Sequence, residues 1–545
     1  MNTPSRLIMA LTAICCLAAC GGGGDKGGDQ PAADAAMASS VNTTPARDAA
    51  PASSSLDWPP PVESDPSDGC DSQPLTGSHA TYDVGPGKTY AELSDLAWTA
   101  MQAGDVVNVF YRATPYAAKI GLRVRGTAAA PFYLHGVSDP ATCAKPVLTG
   151  VGAKHSADQK SNRFHENIET LGLITIWRGA SDDDSTYKPG WITIDNLRMT
   201  NVDATHSFAA YDGTSKPYSV FSAPIYAVRV DHLYVRDCEI DHSALAVFVN
   251  TRGQNAIDFS EDIRLIRNRM HDNGVVGSDT IHNVYVQARR ALYEGNDLAQ
   301  LRVGAIGSTL KDRSSGTVVR FNRIAANARA IDLVETEEED VSKVQIDPLY
   351  PHAWVYGNLI VNDFDSPNGA SVNMVHFGYD NTLARARTGT LFYYGNTLVE
   401  AGPQSKAWYA QAFQVSELTP VAKVSAWNNI FANLGTVEFR FMGQAGELTL
   451  LGGNSLPPNW VADYPGQSGS VTTTGSTMLA LANPGLASNY ALTSGSAAMG
   501  AARSVSPSFP SGVVTENLKL SHQFDLVKGV GVKARHTQGN LGAFE

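Results

Sequence analysis

The side chains with the clearest capacity for chemistry fall in a stretch around residues 271–376. Lys311 and Arg313 stand two residues apart, Arg329, Asp332 and Glu335 follow, His271, His282, Asn283, Tyr285 and Gln287 precede them, and His376 closes the stretch. Alternate residues of an extended strand share a face. With Val284 and Val286 inward, Asn283, Tyr285 and Gln287 point out; with Leu310 inward, Thr309, Lys311 and Arg313 point out; with Ile331 and Leu333 inward, Asp332 points out. Lys311 lies 11 residues before Asn322 and Tyr285 lies 11 before Asn296, so the spacing predicts a column of Tyr285, Lys311 and Asp332, with Gln287 above Arg313 beside it. His271, His282 and His376 are expected on or near the same face. Such a face suits β-elimination, which needs a cation to neutralise a substrate carboxylate, a base for the acidified carbon-bound proton and an acid for the leaving oxygen. Arg313 beside Lys311 would favour the neutral amine and make it a base. The same charges on an exposed strand also describe a solvated face.

A column of this kind requires stacked coils, and the sequence carries their repeat. A small polar residue precedes an aliphatic one by two positions at Cys238 (Ile240), Asn268 (Met270), Asn296 (Leu298), Asn322 (Ile324), Asn358 (Ile360), Asn396 (Leu398), Asn428 (Ile430) and Asn454 (Leu456). Successive first positions lie 30, 28, 26, 36, 38, 32 and 26 residues apart, the length of one β-helix coil with insertions in the longer ones. Each coil is a few short strands that bury their apolar face only by stacking on the next. Asparagine suits the turns because it tolerates left-handed angles and bonds the backbone, and stacked asparagines form a ladder. Short β-branched or aromatic runs such as 191–194, 263–266, 318–321 and 354–356 read as strands, and no long amphipathic helix interrupts them. A propeller is excluded by spacing, since its blades need about 40–50 residues each.

The N-terminus resembles a bacterial lipoprotein signal. Arg6 gives the positive flank, residues 7–19 form a short apolar core, and Leu17, Ala18 and Ala19 precede Cys20. The resemblance implies cleavage before Cys20, lipid on that cysteine and, with Gly21 next, an outer-membrane location. The membrane partner is then the anchor alone, because no later run reaches the roughly 18 apolar residues of a transmembrane helix. Residues 20–56 are rich in Gly, Ala, Pro, Ser and Asp and read as a tether. An oxidising compartment permits a disulfide between Cys70 and Cys143, while Cys238 sits in a repeat position as a buried apolar thiol. The net charge of −12 argues against nucleic acid as a partner.

The segments 84–90 and 103–107, with Gly126, Ala130 and Pro131, resemble the opening of secreted right-handed β-helix proteins, and residues 489–496 and 540–545 resemble their closing segment. The expected fold is therefore all-β, a right-handed single-stranded parallel β-helix with inserted loops. Residues 57–185 form an N-terminal cap and first coils, 186–460 the central helix with the site, and 461–545 the last coils and closing segment. Lys311 to Ser314 followed by Arg320 and Asn322 resembles the Lys-Ser and Arg-x-Asn run of the β-helix polysaccharide lyases that include alginate lyases and chondroitinase B. Asp312 and the stretch 327–330 depart from that pattern, which makes Arg329 a loose counterpart of the family's arginine. The resemblance implies a lyase acting on an acidic polysaccharide, with Lys311 as base and Arg313 or Arg329 neutralising the carboxylate or assisting as acid. His282 supports catalysis, and Tyr285, Gln287, Asn283, Asp332, His271 and His376 bind substrate. Glu335 opens an acidic run to Asp340, and clustered carboxylates suit calcium; Asp332 and Glu335 are the expected ligands, and bound calcium would draw a polyanion to an acidic protein. The alternatives are a non-catalytic glycan-binding or structural surface lipoprotein and a β-helix glycoside hydrolase, which needs a second carboxylate.

Overall fold

The computed structural model describes residues 56–545 except 62, 64–69, 163–167, 179–185, 254, 327, 338–341, 363–371, 403–408, 416–421, 463–468 and 475–478. The expected lipoprotein signal, Cys20 and nearly all of the expected tether lie outside the described residues. Among these, no helix is long and apolar enough to cross a membrane.

The chain winds through three long sheets in turn. Sheet one has 13 strands from Thr81–Val84 to Ser470–Thr473, sheet two has 11 from Val147–Thr149 to Leu479–Ala480, and sheet three has 13, ending at Glu438–Gln444. One coil runs Glu261–Ile266, Arg269–His271 and Val284–Val286, and the next runs Arg289–Glu294, Asp297–Leu298 and Ser308–Asp312. Every pair between them is parallel and in register. The fold is a parallel β-helix. Its interior is a continuous file of aliphatic and aromatic side chains. On sheet three alone Ile225, Val247, Val284, Leu310, Ile331, Val375, Phe413 and Met442 stack in register, all fully buried or nearly so.

The asparagine repeat forms the corner between sheets one and two. Asn268, Asn296, Asn322 and Asn358 each accept the next-lower coil's backbone N–H on Oδ1, at 2.9–3.0 Å. Their Nδ2 groups donate to the carbonyls of Val235, Leu265, Tyr293 and Val319. The ladder continues through Asn396, Asn429 and Asn454. It passes through Asn429 and not Asn428, because Asn396 and Asn429 are the bonded pair and Leu398 aligns with Phe431. The left-handed backbone angles also belong to the residue before each rung: Asp237, Arg267, Phe321 and Asn428 have φ of 54°, 55°, 57° and 55°, and Gly295, Gly357 and Gly395 fill the same place. Asparagine is therefore selected at the rungs for its amide and not for its backbone freedom.

Residues from Leu56 and the returning segment around Leu518 close over sheet one, whereas the last residues, Leu541, Ala543 and Phe544, pack on sheet two against Leu359, Val399 and Ile430. The last strand of the helix is Leu479–Ala480, after which the chain turns back along the outside. Leu56 bonds to Gly512 and Val514, and Arg320 donates to the carbonyls of Pro59 and Asn517. Residues 56–60 thus lie along the flank of the central coils. They help cover the stacked rings of Tyr356, Tyr394 and Trp427. Leu520 packs against Gly357 and Gly395, where a Cβ would stand 2.5 Å from Leu520 at Gly395. Cys70 and Cys143 are joined by a disulfide. Cys238 is free and buried, and burial pushes its thiol up to about 12.

Asn358→Ala removes the acceptor for a buried N–H and the donor to a buried carbonyl, so a loss of roughly 2–4 kcal/mol is expected. It should appear as a lower denaturation midpoint at unchanged slope. Asn428→Gly, which preserves the left-handed turn, is expected to cost about 1 kcal/mol or less.

Candidate functional site

On the outer face of sheet three the strand register aligns Tyr226, Phe248, Tyr285, Lys311, Asp332, His376 and Gln414 in one column. The expected column of Tyr285, Lys311 and Asp332 is present and extends to His376. Lys311 Nζ donates to Asp332 Oδ2 at 2.8 Å and to Asp380 Oδ2 at 2.6 Å. Asp332 Oδ1 takes His376 Nδ1 at 2.8 Å, and its Oδ2 also accepts from Ser308 Oγ at 3.1 Å. Arg329 Nη1 approaches the same Oδ2 at 3.6 Å, and its side chain is 29% exposed, against 3% for Lys311 and 2% for Arg313. His376 Nε2 is buried and has no hydrogen-bond partner among the described residues.

Arg313 follows Gln287 in the neighbouring column. Its guanidinium lies 3.5 Å from Asp380, 3.6 Å from Glu335 and 3.8 Å from Glu337, and it faces the Tyr285 ring at 5.9 Å. Asp312, between the two cations, points to the interior and accepts from Tyr293, Ser314 and Thr317, so its presence between them does not disturb the outer pair.

Burial would discharge the Asp332 carboxyl, but the Lys311 charge and the hydrogen bond from His376 outweigh it and hold the group well below the usual carboxylate range. Asp380 is likewise held down, with Lys311 overcoming burial. Burial, reinforced by Lys311, pushes His282 well below the ordinary histidine range. Its Nδ1 accepts the Ser308 N–H at 2.9 Å, so the neutral ring carries its proton on Nε2. Lys311 and Arg313 meet at Asp380, and the His282 ring lies 6.2 Å from the Tyr285 ring of the same column.

Several expected site residues lie elsewhere or are committed to the protein. Asn283 faces inward, its Nδ2 donating to the Met270 carbonyl and its Oδ1 accepting from Asn273. The cause is a bend that turns two consecutive residues inward on these strands, as at Ala246 and Val247, Ala330 and Ile331, and Met374 and Val375. This breaks the simple alternation, and it returns His282, Ser308 and Arg329 to the outer side. Gln287 is fully buried, donating to Asn250 and accepting the Glu337 N–H. His271 is on sheet two, not beside Lys311, and bonds Glu239 and Asp272. There it borders an open groove of about 350 Å³ with Arg269, Gln300 and Arg323. Glu335 accepts the backbone N–H groups of Asp380, Asn381 and Thr382 at 2.7–2.8 Å, so both expected calcium ligands spend their oxygens on protein donors.

Asp380 is the residue that sequence reasoning missed. It lies 69 residues beyond Lys311, past an insertion, where no strand spacing applies. The only local signal is the turn composition of Gly378, Asp380 and Asn381.

No protein-family model matches the chain, and no curated protein matches it. Among solved structures, an alginate lyase from Paenibacillus sp. str. FPU-7 is similar at 12% identity and a TM-score of 0.32, covering 73% of this chain and 99% of that one. A GH136 lacto-N-biosidase from Eubacterium ramulus is similar at 10% identity and a TM-score of 0.31, covering 74% of this chain and 68% of that one. Likeness at this level carries no argument about activity.

A carboxyl whose folded pKa is depressed stabilises the fold above its unfolded value, and that contribution is lost as pH falls through the folded value. Asp332→Asn is therefore expected to be less stable than the wild type at neutral pH, with the gap closing below about pH 4. Denaturation midpoints across pH measure this. A gap of constant size would show that folding does not shift the Asp332 carboxyl, and a gap that widens as pH falls would show that the fold raises it.

Proposed function

We propose that the protein is a glycan-active enzyme, a polysaccharide lyase that cleaves a uronate-containing polymer by β-elimination on the outer face of sheet three. The observation that carries this reading is the gathering of Lys311 and Arg313, both nearly fully buried, beside the Asp332–His376 pair. Cations withdrawn from water act more strongly on a carboxylate than solvated ones do. Neutralising the uronate carboxylate acidifies the adjacent C5 proton.

Lys311 is ion-paired with two carboxylates, and an ammonium so placed keeps a third N–H to give. That makes it the proton donor to the leaving oxygen and passes the base role expected of it to His376. His376 Nδ1 bonds the ionised Asp332, which leaves the lone pair of the neutral ring on Nε2. His376 removes the C5 proton, the electron pair forms the C4–C5 double bond, the C4–O4 bond breaks, and the departing oxygen takes a proton from Lys311. Arg313 and the partly exposed Arg329 supply the positive field, and the His282 Nε2–H adds a neutral donor. Hydrolysis by a carboxylate pair is disfavoured, because Asp332 and Asp380, the two carboxylates that touch Lys311, are both held ionised and neither is a loaded acid.

The purified protein, incubated with a panel of uronate polymers, should release product with the ultraviolet absorbance of an unsaturated uronate. His376→Ala and Lys311→Met should each lower kcat about 10²–10⁴-fold. If no uronate polymer gives product while Lys311→Met binds polymer as the wild type does, the protein is a glycan-binding one and not a lyase.

A further inference from the structure

Asp380 stands on a loop whose two ends are tied together. The Arg387 N–H donates to the Gly378 carbonyl at 3.0 Å, the Gly378 N–H donates to Leu333, and Gly378 has a φ of 125°. Between these ends the loop is anchored to the ledge after Asp332. Glu335 accepts three of its N–H groups, Tyr350 donates to the Arg385 carbonyl at 2.7 Å, and Arg385 donates to the Thr336 carbonyl at 3.0 Å. The loop carries one carboxylate onto the two buried cations: Asp380 Oδ2 lies 2.6 Å from Lys311 Nζ and 3.5 Å from Arg313 Nη2.

The charges set Asp380 apart from its neighbours. Asp332 and Glu335 are fully buried and already match Lys311 and Arg313 one for one. Asp380 is the further carboxylate, and its side chain is 22% exposed, so it approaches the cations from the solvent side. Removing it leaves no uncompensated buried cation, and replacing it with another carboxylate exchanges like for like. A single oxygen bridging an ammonium and a guanidinium is also the contact by which such a pair recognises a carboxylate ligand.

We infer that Lys311 and Arg313 form the seat for the substrate's carboxylate, and that in the free protein Asp380 occupies this seat as an internal substitute which a uronate must displace. The inference rests on the uronate substrate of the proposed lyase. It gives the loop 378–387 a definite role as a self-inhibiting gate. Binding of a uronate is coupled to withdrawal of Asp380, and the apparent affinity is reduced by the fraction of molecules in which the seat is free. A sugar without a carboxylate cannot replace Asp380 on the two cations, so the same contact makes acidic residues the ones admitted.

Calorimetric titration with glucuronate and galacturonate, and with glucose as the uncharged control, tests this without turnover. If the seat is filled more than nine-tenths of the time, Asp380→Ala should bind the uronates at least about tenfold more tightly than the wild type, with glucose binding alike in both. Should Asp380→Ala lose its native circular dichroism, Asp380→Asn removes the charge at constant shape and answers the same question. Uronate affinity that is unchanged or weaker in the folded Asp380 variant overturns the inference. So does an equal gain for glucose, which would mean that the loop blocks by bulk and not by charge. Absence of unsaturated product from every polymer would sink the lyase assignment but leave this binding comparison readable, so the two fail separately.

Discussion

Everything in this molecule hangs on the asparagine ladder at the corner between sheets one and two. A coil of three short strands has no independent stability, since its apolar side chains face a core that exists only when neighbouring coils are in place. The turn between the first two strands exposes a backbone N–H and a carbonyl inside the stack, where unpaired groups are costly. One asparagine satisfies both at once. Its oxygen accepts from the coil below, and its amide donates to the strand end of that same coil. Because each rung bonds the next, the amides also set the vertical register, with adjacent coils one strand spacing apart.

That register is what makes an outer column of charge possible. Lys311, Asp332 and His376 belong to three different coils, with insertions of unequal length between them, yet they align because their strands are locked in parallel. The column is also unusual in being sealed. Nearly buried cations and fully buried carboxylates contact one another with little water, an arrangement whose desolvation cost commonly exceeds its Coulombic gain. A fold that needed only stability would place apolar residues there, as it does on sheet one, where the segments around Leu56 and Leu518 cover stacked aromatic rings. The buried His376 Nε2 has no hydrogen-bond partner among the described residues, and in the proposed reaction it is the base.

The legibility of this site was uneven for physical reasons. Tyr285, Lys311 and Asp332 were readable because the two-residue period and the 11-residue distance to the rung both survive in the fold. Asn283 was misread because a bend at the start of the strand turns two successive residues inward, and polarity alone does not reveal such a bend. Asn428 and Asn429 offered two asparagines to one rung, and only the pairing of Leu398 with Phe431 separates them. His271 was grouped with the column because the sequence does not state which of three faces a histidine near a turn will take.

The sequence by itself determined the parallel β-helix, through a repeat of turn amide and apolar strand whose period matches a coil, and it determined which short segments supply the candidate chemistry. These are local properties, encoded in spacing and side-chain type. Only the tertiary structure decided that Lys311 meets Asp380, that Glu335 is an anchor for a loop, and that the segments around Leu56 and Leu518 return to cover sheet one. Those contacts join residues separated by insertions or by hundreds of positions. No periodicity links them, so they exist only once the stacked coils have fixed where each loop begins and ends.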